Sequence, residues 1–255
     1  MSEGTTRLYR ERIYGRYVEA ACAEVAPQAI EGLAPQVGDA RRQALDRLRR
    51  LVREHFPQRE DAAILDLGCG HGALIHVART LGYTNIGGVD GSPSQVEASR
   101  RLGIEGVRYG DMFEVLRALP PASLDAAVSF DVLEHLDRDE IIAFTDEVAR
   151  VLKQGGRWIV HVPNGASPFA GAALYSDLTH ELAFTAESMT QLALSSGFRS
   201  VSFAEDEPVA HGAKSWLRLL AWRAIRACLR FYLRAETGAV AHPVLTQNFL
   251  AVLIR

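Results

Sequence analysis

The chain has 255 residues, of which 48% are hydrophobic and 23% charged, with a formal net charge of −3. That length suits one large domain able to bury its own core without disulfide or metal staples, and the composition excludes a mostly disordered or collagen-like chain. The slight acidity gives no chain-wide reason to bind nucleic acid, and Cys22, Cys69 and Cys228 are too few and too scattered for a disulfide framework.

The first residues, MSEGTTRLYRER, lack the apolar segment of a secretory signal, and no run of about 18 apolar residues appears. A cytoplasmic protein is therefore expected. Residues 1–56 read as a helical extension or cap outside the main domain, with helices over about 7–23 and 39–55. In the first, Tyr14 and Tyr17 sit on an apolar face that either packs on the domain or covers the mouth of a pocket and touches a substrate. In the second, Leu45, Leu48, Leu51 and Val52 form the apolar side, and the arginines of 41–53 are solvated.

From residue 57 to the end the pattern is that of a single α/β domain. Short β-type runs at 62–67, 86–89, 124–130 and 157–162 alternate with helical patterns at about 72–82, 93–102 and 139–152. That order predicts a doubly wound, mostly parallel sheet covered by helices on both faces. Asp137 with Glu140 three residues on predicts a capping box at the start of the third helix, and Gly155–Gly156 mark its expected end. Two late β-type runs, 201–205 and 248–254, add strands.

The strongest local signal is AAILDLGCGHG at 62–72, an apolar strand carrying Asp66 and running into Gly68, Cys69, Gly70, His71 and Gly72. Glycines allow a ligand to approach the backbone, and the following helix offers free N–H groups. Alone, Gly68-x-Gly70-x-x-Ala73 also satisfies the dinucleotide fingerprint. Its neighbours point elsewhere. Asp66 is placed for an ammonium group, Asp90 for two ribose hydroxyls, and Asp111 beside Met112 for an adenine amino group.

Taken in order, LDLGCGHG, VDGSP, GDM, FDVLEHL and GGRWIVHVPN resemble class I S-adenosylmethionine-dependent methyltransferases over about residues 60–165. The resemblance implies a Rossmann-like, seven-stranded sheet with an antiparallel last strand. It also implies that S-adenosylmethionine is the cofactor and S-adenosylhomocysteine the product. Asp66 and Gly68 to Gly72 would hold its methionine part, Asp90 and Gly91 its ribose, Asp111 and Met112 its adenine. Phe130, Asp131 and His135 would line the methyl-transfer side.

The acceptor is read from residues 162–185, which follow the fifth strand where a substrate loop belongs. Asp177 and His180 are three apart, so one helical turn would put both on one face. His180 is then the candidate base, with Asp177 or Glu181 to orient it, and Asn164 and Tyr175 as substrate contacts. Tyr175-x-Asp177-x-Thr179-His180, followed by Phe184-Thr185 and Gly197-Phe198, is similar to methyltransferases of bacterial polysaccharide and lipopolysaccharide assembly. That likeness implies O-methylation of a sugar hydroxyl on a cell-surface glycan or its lipid-linked precursor.

FDVLEHL resembles the Glu-x-x-Glu-His of small-RNA 2′-O-methyltransferases and ubiquinone-pathway O-methyltransferases. Asp131, Glu134 and His135 then form an alternative divalent-metal set, with His180 as a further ligand in competition with its role as base, although aspartate stands where that pattern has its first glutamate. The expectation here is a metal-free site. The rival acceptor is a lipid-like phenol, and a rival of another kind is an inactive cofactor-binding assembly module.

Residues 213–234 form an amphipathic helical insertion. Lys214, Arg218, Arg226, Arg230 and Arg234 fall at multiples of four, and Trp, Leu and Phe fill much of the rest. The pattern fits peripheral contact with the inner membrane surface, or packing against protein. No nucleic-acid partner is expected, and the oligomeric state is open.

Overall fold

The computed structural model describes residues 39–208, 210, 212–238 and 244–255, with Ile13 before them. Tyr14 and Tyr17, with all of the expected 7–23 helix except Ile13, lie outside the described residues. In chain order the elements are α1 (Asp39–His55), β1 (Ile64–Leu67), α2 (Ala73–Thr80), β2 (Ile86–Asp90), α3 (Pro93–Arg101), β3 (Val107–Tyr109), α4 (Met112–Ala118) and β4 (Leu124–Phe130). A 3₁₀ turn, Leu133–His135, leads to α5 (Arg138–Val151) and β5 (Leu152–Pro163). Then follow α6 (Ala170–Leu174), α7 (Ala186–Ser195), β6 (Ser200–Glu205), α8 (Ala213–Thr237) and β7 (Asn248–Ile254).

The strands make one seven-stranded sheet in the order β3-β2-β1-β4-β5-β7-β6. Neighbouring strands from β3 through β5 pair in parallel, and β7 runs antiparallel between β5 and β6. This is the expected Rossmann-like α/β sheet with its antiparallel last strand. Strand order reverses between β1 and β4, and loops that leave the carboxyl ends there diverge to opposite faces, opening a crevice.

Alternation along each strand feeds two buried layers. On one face Leu65, Leu67, Trp158 and Val160 pack with Phe144 of α5 and Met189 of α7. On the other, Ile64, Val128 and Ile159 meet Val52 and Phe56 from α1 and its end, and Ile75 of α2. The apolar side of α1 expected from Leu45, Leu48, Leu51 and Val52 is the side that packs on the domain. The capping box forms as read: Asp137 Oδ1 accepts from the Glu140 N–H, and Glu140 Oε2 accepts from the Asp137 N–H, both at 2.8 Å.

The expected end of that helix needs correcting. It closes at Val151, because Leu152 turns extended (ψ 138°) and begins β5. Gly155–Gly156 lie inside the strand, where Gly155, at φ 75°, bends it and donates to the carbonyl of Arg255.

Trp158 anchors the larger core layer. It is fully buried, tilts against Phe144 at 5.8 Å, stacks near Phe198 at 6.0 Å, and donates Nε1–H to Ser129 Oγ at 3.0 Å. Trp158→Ala is expected to cost about 3–5 kcal/mol, and Ser129→Ala about 1–3 kcal/mol, since the latter leaves the indole N–H buried without its acceptor. Urea denaturation of both variants, with an unchanged m-value, is the check.

Candidate functional site

The crevice is lined first by the glycine loop. Gly68 sits at φ 75°, and a Cβ there would lie 2.5 Å from Cγ2 of Val132, so neither backbone strain nor space admits a side chain. Gly72, at φ 87°, is the N-cap of α2 and faces Val107 and Ile104 as closely. The loop thus brings its own backbone against the ends of β1, β2 and β4.

Two carboxylates flank it. Asp66 is 2% exposed, and its Oδ1 has no hydrogen-bond partner. Burial, aided by the nearby charge of Asp90, pushes its pKa up to about 7. Asp90, at the end of β2, is instead held in place: Oδ2 accepts from the Gly70 N–H and Oδ1 from the Ser92 N–H, each at 2.8 Å. Burial raises its pKa as well, against the opposing pull of those two N–H groups. Gly91 and Ser92 follow into α3. Asp111 caps α4 by accepting from the Glu114 N–H at 2.9 Å, with Met112 beginning that helix. Burial lowers the pKa of His71, and Cys69 is pushed well up, both beside this loop.

On the far side of the reversal, Asp131 adopts φ 55°, a left-handed conformation costly for a residue with a Cβ. His161 of β5 holds it there twice. The Asp131 N–H donates to the His161 carbonyl at 3.1 Å, and the carboxylate meets His161 Nδ1 at 2.5 Å. The imidazole stacks on Phe130 at 4.0 Å. Burial alone would lower the His161 pKa, but the Asp131 carboxylate outweighs it and the net shift is upward. His161 was not singled out from the sequence. Its signal was a single polar residue in the apolar run Ile159-Val160-His161-Val162.

Beside Asp131 lies a second cluster. Asp177 does not orient His180, as had been expected. Its Oδ1 accepts from the Thr179 N–H at 2.8 Å and from the Thr179 hydroxyl at 2.7 Å. With that hydroxyl proton committed, His135 Nδ1, 2.8 Å from Thr179 Oγ1, is the donor. The result is a relay, Asp177–Thr179–His135. His180 is steered by backbone instead: its Nδ1 lies 3.2 and 3.1 Å from the carbonyls of Ala173 and Leu174, which only accept. In its neutral form His180 then carries its proton on Nδ1 and its lone pair on Nε2, and the two rings meet edge to face at 4.7 Å. Burial, with His180 adding to it, lowers the His135 pKa to about 4.

Glu134 completes the cluster. It is fully buried, neither carboxyl oxygen has a hydrogen-bond partner, and burial with the charges of Asp131 and Asp177 raises its pKa well above the ordinary range. Glu134, His135 and His180 each offer a ligand atom within 4.8 Å of the others. The metal-capable set among the described residues thus takes His180 in place of Asp131.

Two expected substrate contacts fare differently. Asn164 is 1% exposed, and its amide is spent on the carbonyls of Val244 and Thr246 and the Ala166 N–H, so it latches the strand ends instead of meeting a substrate. Tyr175 is 83% exposed, on the same loop as His180.

Residues 65–160 match the model of a family described as a methyltransferase domain. Over 157 residues the chain is 32% identical to a probable S-adenosylmethionine-dependent methyltransferase of Mycolicibacterium smegmatis, covering 59% of this chain and 56% of that one. It is 31% identical over 118 residues to a ubiquinone biosynthesis O-methyltransferase of Chelativorans, covering 45% and 46%. The matched segments thus span about half the length of these curated relatives. Among solved structures, geranyl diphosphate C-methyltransferase from Streptomyces coelicolor, crystallised with Mg²⁺, a substrate analogue and S-adenosylhomocysteine, superposes with a TM-score of 0.66. It covers 99% of this chain and 100% of its own at 14% identity, a likeness of fold.

The partnerless Asp66 carboxylate suits the ammonium group of the implied cofactor, whose binding favours the ionised acid. The dissociation constant of S-adenosylhomocysteine should therefore rise as pH falls through about 7, by up to about tenfold per unit. Asp66→Asn should weaken binding at higher pH and flatten this dependence. Calorimetric titration across that range decides it.

Proposed function

Residues 65–160 match a methyltransferase-domain family, and we propose that the chain is an S-adenosylmethionine-dependent O-methyltransferase acting on a hydroxyl group, with a histidine as base. The observation that carries the reading is His180, whose Nδ1 lies against the Ala173 and Leu174 carbonyls so that Nε2 is the nitrogen turned to an acceptor, with the His135 ring edge to face beside it. When bound, S-adenosylmethionine supplies a methyl group on a sulfonium, and transfer to an acceptor oxygen is an in-line displacement governed by positioning.

This chain's residues would divide the work as follows. Asp66 and the Gly68–Gly72 loop take the methionine part, Asp90 the ribose and Asp111 with Met112 the adenine. His180 removes the acceptor's proton through Nε2, and the Ala173 and Leu174 carbonyls stabilise the imidazolium that results. His135, fixed by Thr179 and Asp177, holds the edge of that ring. The exposed Tyr175 offers the face of an aromatic ring to an approaching acceptor.

The acceptor we favour is a sugar hydroxyl of a cell-surface glycan or its lipid-linked precursor, on the Tyr-x-Asp-x-Thr-His loop. A second reading, a lipid-like phenol, is supported by the likeness to the ubiquinone biosynthesis enzyme and by the ligand geometry of Glu134, His135 and His180. In that case the unpartnered Glu134 carboxylate would face a divalent cation.

His180→Ala should lower turnover by about 10²–10⁴-fold while leaving S-adenosylhomocysteine affinity within about twofold. Methyl-labelled cofactor with a fractionated bacterial extract, with and without chelator, identifies the acceptor. Label in the glycolipid or polysaccharide fraction that withstands chelator supports the sugar reading. Label in a quinone-like lipid, lost with chelator, replaces it with the phenol reading. Full turnover in His180→Ala removes His180 as the base.

A further inference from the structure

The helix α8 is apolar on two opposite faces, one packed on the domain and one exposed. Its inward face recurs every three or four residues, at Ser215, Leu219, Trp222, Arg226, Leu229 and Leu233, all buried or half-buried. The centre of that face is an arginine. Arg226 is 5% exposed, pairs with Glu205 at the end of β6, and lies 4.3 Å over the Trp222 ring. The stripe of cations read from the sequence is therefore split, with Arg226 facing the domain.

Half a turn away, the outward face carries Leu217 (67% exposed), Leu220 (56%) and Phe231 (76%), with Ala224, Ala227 and Cys228 between them. At 100° per residue, Lys214 and Arg218 flank this apolar strip on one side, and Arg223, Arg230 and Arg234 on the other. Exposed Trp216 and Tyr232 lie at the same borders. Glu236 is the helix's single acidic residue. A soluble surface helix places its apolar stripe against the core and its charges outward. Here a second apolar strip, about 21 Å from Leu217 to Phe231, with cations and amphipathic aromatics along both edges, faces away from the protein. Among the described residues no helix is long and apolar enough to cross a membrane.

We infer that α8 lies in the interface of an anionic phospholipid surface, with Leu217, Leu220 and Phe231 among the acyl chains and the flanking cations at the headgroups. The charge complementarity selects the occupant: a second copy would set two rows of cations against each other, whereas acidic headgroups neutralise both rows at once. The inference does not depend on which acceptor is methylated.

The test uses the full chain and flotation with phosphatidylcholine vesicles, either pure or containing one-third phosphatidylglycerol. Binding should be at least about tenfold stronger to the anionic vesicles and should weaken as salt rises. Leu220→Glu with Phe231→Glu should reduce it at least about tenfold, leaving the thermal transition and S-adenosylhomocysteine affinity unchanged. Arg223→Glu with Arg234→Glu should remove the preference for anionic lipid. Failure of the unaltered chain to bind anionic vesicles overturns the inference, as does equal binding by the Leu220/Phe231 variant. So does sedimentation showing a dimer that this variant dissociates, which would give the face to a second copy.

Discussion

Everything at this site depends on the reversal of strand order between β1 and β4. Parallel strands all deliver their carboxyl ends to one edge of the sheet, and the reversal sends the loops leaving β1 and β4 to opposite faces. The groove between them is where side chains are taken out of water without being given partners. Asp66 has a buried oxygen with nothing to accept from on one side, and Glu134 has two on the other. A folded chain rarely leaves such groups unanswered. Asp66 on β1 and Glu134 just after β4 both lie by the carboxyl ends of the strands, the edge of such a sheet where ligands are taken.

The two walls are held differently. Around the glycine loop Asp90 is fixed by backbone, gripped by the Gly70 and Ser92 N–H groups. Around the other wall it is by side-chain chains, Asp131 to His161 and Asp177 through Thr179 to His135. Backbone cradles tolerate little beyond one ligand shape, whereas side-chain relays can be rebuilt residue by residue.

The same division explains what was legible in the sequence. The strand runs, the glycine loop, Asp66, Asp90 and the Asp137–Glu140 box are local patterns, each decided within a few residues, and they stand where the spacing put them. The relay could not be read, because Asp177 and His180 at helical spacing suggested a direct pair. In fact the chain there is a turn in which Thr179 intercepts the carboxylate. His161 was hidden because a polar residue in a central strand has no meaning until its partner, thirty residues earlier, is brought beside it. Asn164 looked available only while the segment around Val244 and Thr246 was unplaced. In α8 the periodicity located two faces but carried no sign for which was inward. That sign came from Glu205, a half-buried acid that pairs with the buried Arg226.

The contact between Gly68 and Val132 has a consequence for how the two halves of the groove are spaced. Gly68 belongs to the glycine loop after β1 and Val132 to the turn that carries Asp131, Glu134 and His135. Between them there is no room for one additional carbon. The valine is thus a gauge block: its branched side chain fixes how closely the loop and the turn approach. An alteration of either residue changes the width of the gap before it changes any group that does chemistry.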